Sequence, residues 1–248
     1  MGKSRSKRRR SRTSKLALAG LAALGVATAA VVVVAVSPPP APPPVSEQVS
    51  NYVPPTAAPI EAPEVAGFLG DSFTAGDGLA DRKFRWTTVL AGAEGWTEIN
   101  AGSGGTGYET AGRLDARKPY TGRIDELAAK KPTIVVISGG GNDLGMYRTQ
   151  PAKVEAAVQS TYQQVRAALP EARIIGLSSD WGSVAPDPQI DSLDNLIEAT
   201  VTGVGGEFID LDRPLDGHPE FIGPDGAHPT NEGHAAIAQA AYAAIPKR

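Results

Sequence analysis

From about residue 64 onward, short apolar runs alternate with stretches in which apolar side chains return every three or four positions. The runs Val65–Leu69, Thr97–Asn100, Thr133–Ser138, Arg173–Ser178 and Glu207–Leu211 predict five strands. The clearest helical patterns cover Gly122–Lys130, Ala152–Leu169 and Asn231–Ile245. In the second of these, Val154, Val158, Tyr162, Val165 and Leu169 fall on one face. Strands that alternate with helices are joined by crossovers, so the sheet is expected to be parallel with helices on both faces. No segment repeats internally, and the 185 or so residues from Glu64 to Arg248 suit one domain (64–248).

The pattern before residue 64 is different. Leu16 to Val36 is an uncharged run of 21 residues, long enough at 1.5 Å per residue to span a hydrocarbon core of about 30 Å. Residues 1–15 carry eight Lys or Arg and no acid, which predicts a cytoplasmic n-region, a transmembrane anchor or uncleaved signal over 16–36, and a domain outside the cytoplasm. A cleaved signal peptide, giving a secreted domain, is the competing reading, because Ala35-Val36-Ser37 loosely resembles a cleavage site. The apolar run is longer than a usual h-region, however, and Pro38 would open the mature chain. Residues 37–63 form a linker with ten prolines between Pro38 and Pro63, an extended spacer by composition.

Charge and cysteine content narrow the chemistry. Beyond residue 15 the chain holds 16 basic against 27 acidic residues, a net charge of -11, which argues against nucleic acid as a partner. With no cysteine anywhere, disulfides, a thiol nucleophile and thiolate zinc sites are excluded.

Four loops carry candidate chemistry. The first, Gly70-Asp71-Ser72, ends the first strand and places a hydroxyl where open α/β sheets bind ligands; by itself Ser72 reads equally as a nucleophile or a helix N-cap. The second, NAGSGGTGY from Asn100, has glycines that let backbone N–H groups approach a ligand. The third, Gly139 to Gly145, presents Asn142, an amide donor of the kind that stabilises an oxyanion. In the fourth, Asp225 and His228 are three residues apart, close enough for the carboxylate to orient the imidazole. Of the other histidines, His234 falls in the apolar pattern of the last helix, and His218 lies in a turn without a partnered motif. The spacings of His218, Asp225, His228 and His234 match no common zinc site, and no complete nucleotide-binding glycine motif follows a strand.

Taken together and in this order, the blocks Gly70-Asp71-Ser72, Gly105 after Asn100, Gly141-Asn142-Asp143 and Asp225-Gly226-Ala227-His228 resemble the SGNH hydrolases, the GDSL esterase and lipase family, over the whole domain. GDSF stands here in place of GDSL, a change with no chemical consequence at position 73. The resemblance implies an α/β fold, a three-layer α/β/α flavodoxin-like sandwich around a central parallel five-stranded sheet. It implies a serine esterase needing no cofactor or metal, with Ser72 as nucleophile, His228 as general base and acid, and Asp225 orienting it. The oxyanion hole would comprise the N–H groups of Ser72 and Gly105 and the Asn142 amide. Tyr108, Met146, Tyr147 and Trp181 are the expected pocket residues, and the lack of a long apolar insertion points to small acyl groups, such as acetate on a sugar or envelope glycan. A lipase, an acyltransferase or a catalytically silent envelope-binding module are the alternatives.

Overall fold

The computed structural model describes residues 62–112, 117–179, 181–182 and 187–247. The basic segment, the apolar run 16–36 and the linker up to residue 61 lie outside the described residues. No described helix is long and apolar enough to cross a membrane.

In chain order the elements are β1 (Val65–Gly70), α1 (Ser72–Ala75), α2 (Trp86–Glu94), β2 (Thr97–Gly102), α3 (Ile124–Ala128), β3 (Ile134–Ile137), α4 (Leu144–Tyr147), α5 (Pro151–Ala168), β4 (Arg173–Leu177), α6 (Ile190–Gly203), β5 (Glu207–Ile209) and α7 (Asn231–Ala244). The five expected strands are all present, with ends displaced by one or two residues at most. The expected helix over 122–130 is instead a 3₁₀ turn, Tyr120–Arg123, running into the short α3.

All strand pairs are parallel, in the order β2-β1-β3-β4-β5. Side chains alternate between two buried faces. Phe68, Ile134, Val136, Ile175 and Leu177 pack with Trp86 and Leu90 of α2 and Ile237 and Ala241 of α7. Leu69, Val135, Ile137 and Ile174 pack on the opposite side with Leu127 of α3, Val158 and Tyr162 of α5 and Ile197 of α6. Because both faces are covered, the strands read as continuous apolar runs. Each fully buried large side chain contributes about 1.5–3 kcal/mol.

The chain steps from β1 outward to β2, then crosses back past β1 to β3. Helices leave β1 and β3 toward opposite faces, which opens a crevice beyond their carboxyl ends, the position where such sheets bind ligands.

Candidate active site

At the end of β1 the chain must turn sharply. Gly70 permits this, since a Cβ there would lie 2.2 Å from Thr74 Oγ1. Asp71 caps α1, its Oδ1 accepting the Phe73 N–H at 3.0 Å. The cap is therefore Asp71 and not Ser72, which is the first residue of the helix and whose hydroxyl has no hydrogen-bond partner among the described residues. Thr74 Oγ1 and Ser138 Oγ, 2.7 Å apart, pin α1 to the end of β3.

Burial pushes the Asp71 carboxyl up to about 6, against the opposing pull of the Phe73 N–H and the Arg123 guanidinium. Folding thus favours the neutral acid relative to the unfolded chain. Its contribution to stability is complete below pH 3.8 and is lost as the pH rises through about 6. Since Asp71 also borders solvent in the site, the loss should be on the order of 2 kcal/mol. Asp71→Asn, which keeps a capping oxygen, is expected to flatten this part of a melting-temperature profile between pH 4 and 7. An unchanged slope would contradict the assignment.

The loop after β2 is locked to the Ser72 turn by Asn100. Its Nδ2 donates to Thr74 O (2.7 Å) and its Oδ1 accepts from Gly102 N (2.9 Å). Gly102 must be bare, because a Cβ would approach Ala75 N to 2.3 Å. Gly105 has φ +71, and its N–H has no partner among the described residues. Farther along, the buried Asp143 carboxylate accepts three backbone N–H groups, from Tyr108 (2.7 Å), Thr110 (2.8 Å) and Glu109 (3.2 Å). Asn142 donates one amide proton to Thr106 O at 2.9 Å and keeps the other. The loops after β2 and β3 are thereby fixed to each other.

The fourth loop is a hairpin, closed by the Ile222–Pro229 bridge and by Gly223 N–H donating to His228 O (2.8 Å). His228 Nδ1–H donates to Asp225 Oδ2 at 2.6 Å, while Asp225 Oδ1 accepts the N–H groups of Ala227 and His228, each at 3.0 Å. The bond to His228 and these two N–H groups hold the Asp225 carboxyl well below the usual carboxylate range. Nδ1 is thus committed to the acid, leaving Nε2 as the basic nitrogen.

The other two histidines do different work. His234 is fully buried, accepts the Trp86 N–H on Nδ1 at 3.2 Å, and is driven down to about 4 by burial and by Arg85 and Arg82. His218 is exposed, pairs with Glu220 and stacks on Phe221.

Ser72, Gly105, Asn142 and His228 line one cavity of about 550 Å³, and Trp181 forms part of its apolar wall. The other three expected pocket residues do not reach it. Tyr108 is turned inward where Asp143 grips its backbone; its hydroxyl lies 3.2 Å from that of Tyr162 and its ring 4.8 Å from Tyr120. Tyr147 is buried in the core, and Met146 packs half-buried against the same cluster. The structural roles of Asp71, Asn100 and Asp143 were not expected from the sequence. The only signal for Asp143 was an acid placed directly after the candidate amide donor. Among the described residues, no three His, Asp or Glu side chains converge as a metal site requires.

Comparison with known proteins is consistent across sequence and structure. The profile of the GDSL-like Lipase/Acylhydrolase family matches residues 68–236. GDSL lipase Rv0518 of Mycobacterium tuberculosis is 27% identical over 179 residues, 68% of this chain and 76% of that protein. Est24, a carbohydrate acetylesterase from Sinorhizobium meliloti, superposes with a TM-score of 0.58 at 18% identity, covering 73% of this chain and 97% of Est24. A family two carbohydrate esterase from Clostridium thermocellum gives a TM-score of 0.62 at 17% identity, over 74% of this chain and 64% of that one.

Proposed function

Because the chain belongs to the GDSL-like lipase/acylhydrolase family, and so is a carboxylic ester hydrolase, we propose that it works through an acyl-enzyme on Ser72. Ser72 Oγ attacks the ester carbonyl while His228 Nε2 takes its proton. The oxyanion that forms is held by the N–H groups of Ser72 and Gly105 and by the free amide proton of Asn142. As the intermediate collapses, the imidazolium gives its proton to the departing alcohol, and Asp225 stabilises that cation throughout. Water, deprotonated by the same imidazole, then releases the acid and restores Ser72. The observation that carries this reading is the tight Asp225–His228 pair bordering the cavity that also holds Ser72.

The substrate is a short acyl ester, such as an O-acetyl group on a sugar or a cell-envelope glycan. A moderate cavity walled by Trp181 supports this, as do two structural neighbours named for carbohydrate esters. The basic and apolar N-terminal segments support a domain held outside the cytoplasm. In a series of p-nitrophenyl esters, C2 is expected to turn over faster than C12. Faster turnover of C12 would identify a lipase instead.

A further inference from the structure

The cavity contains a polar feature that the acyl-enzyme chemistry does not use. Asp77 and Arg117 both line it, and both reach over Gly104: a Cβ on that glycine would lie 2.1 Å from Asp77 Oδ2 and 2.7 Å from Arg117 Nη1. No more than about 5 Å therefore separates the two charged tips, yet they do not close into an ion pair with each other. Each is held from behind. The Asp77 backbone N–H donates to Ser72 O at 2.9 Å, and its carboxylate has only a loose pair with Arg82, at 3.8 Å. Arg117 Nη1 donates to Gly104 O at 2.8 Å, leaving its other protons uncommitted among the described residues.

The position of this pair tells which half of an ester meets it. Gly78, the neighbour of Asp77, packs against the base of the His228 side chain: a Cβ there would lie 2.9 Å from His228 Cβ and 3.7 Å from its Cγ. Asp77 therefore lies on the His228 side of the cavity, the side to which the departing alcohol must come to receive its proton. A gap of this width between an acceptor and a donor fits one hydroxyl, which can donate to Asp77 while it accepts from Arg117.

Resting on the proposed acyl-enzyme mechanism, we infer that Asp77 and Arg117 form a subsite for a free hydroxyl neighbouring the ester, and so select neutral polyhydroxylated alcohols. Charge points the same way. In the cavity lining Arg117 stands beside the Asp77 carboxylate, which is only loosely paired with Arg82, while Asp187 is already paired with Arg148, so an anionic alcohol such as a uronate meets a carboxylate and no unopposed arginine there.

The test compares three substrates: a methyl glycoside with one acetyl ester and a free hydroxyl on the adjacent carbon, its deoxy counterpart lacking that hydroxyl, and the corresponding uronate. Wild-type kcat/KM is expected to favour the hydroxylated ester over the deoxy ester by about tenfold or more, and the uronate should be slower than the neutral glycoside. Asp77→Ala and Arg117→Met should each bring the hydroxyl-to-deoxy ratio close to one. The two lie on different loops, so misfolding of one variant leaves the other as the test. A wild-type ratio near one, or a ratio retained in both variants, would overturn the subsite. p-Nitrophenyl acetate serves as control. If wild type cleaves it while the ratio is near one, only the subsite fails; if it does not, the acyl-enzyme mechanism fails as well.

Discussion

Ser72→Ala is expected to lower kcat for p-nitrophenyl acetate by about 10⁴-fold or more, because the attacking atom is removed and only binding and the oxyanion donors remain. The fold should be indifferent to the change. The hydroxyl has no hydrogen-bond partner among the described residues, and Asp71 supplies the cap of α1, so the melting temperature should stay within about 2 °C. Reaction with a fluorophosphonate distinguishes loss of the nucleophile from a general loss of activity. Wild type should be labelled once and the alanine variant not at all. Labelling that persists in the variant would place the nucleophile elsewhere.

Asp143→Ala should act in the opposite manner, through stability first. The carboxylate is buried and satisfies the N–H groups of Tyr108, Glu109 and Thr110, which the alanine variant leaves unpaired. At about 1 kcal/mol or more for each stranded group, the loss is about 3 kcal/mol, equivalent to a fall of roughly 10 °C for a domain of this size. Activity should fall with it even below the new midpoint, since Gly105 and Asn142 would no longer be held at a fixed separation. Asp143→Asn should recover part of the stability, because it keeps one acceptor but turns an amide N–H₂ toward the remaining donors. Thermal unfolding and kcat measured on the same samples check both claims, and an unchanged midpoint in the alanine variant would refute them.

The difference between these residues explains what could be read from the sequence. The strands were legible because both faces of the sheet are covered, so that Ile134 to Ile137 had no polar position to blur the pattern. Asp225 and His228 were legible because their relation is local, and Ser72 because it follows a strand end. Tyr108 was misread because the direction of its side chain is set by Asp143, a residue remote in sequence. Helix α6 buries Leu193, Ile197 and Val201 at four-residue intervals, yet opens without a side-chain cap and follows a loop, so its start carried no signal. Helix α2 likewise begins at Trp86 with no side chain capping it. The subsite of Asp77 and Arg117 depends on what a missing Cβ leaves room for, which composition alone does not express.

The hairpin that carries Asp225 and His228 is held differently from the rest of the site. Its closing contacts, Ile222 with Pro229 and Gly223 with His228, join residues close in the chain and carry a small loop-closure cost, so they can form early in folding. Ser72, Gly105 and Asn142 come together only when β2, β1 and β3 have paired, and parallel pairing through crossovers is slow because distant segments must first meet. The Asp225–His228 pair is thus set by local contacts, whereas the placing of Ser72, Gly105 and Asn142 depends on the pairing of β2, β1 and β3. Under the proposed mechanism, activity recovered on refolding is therefore expected to report a paired central sheet and not merely collapse.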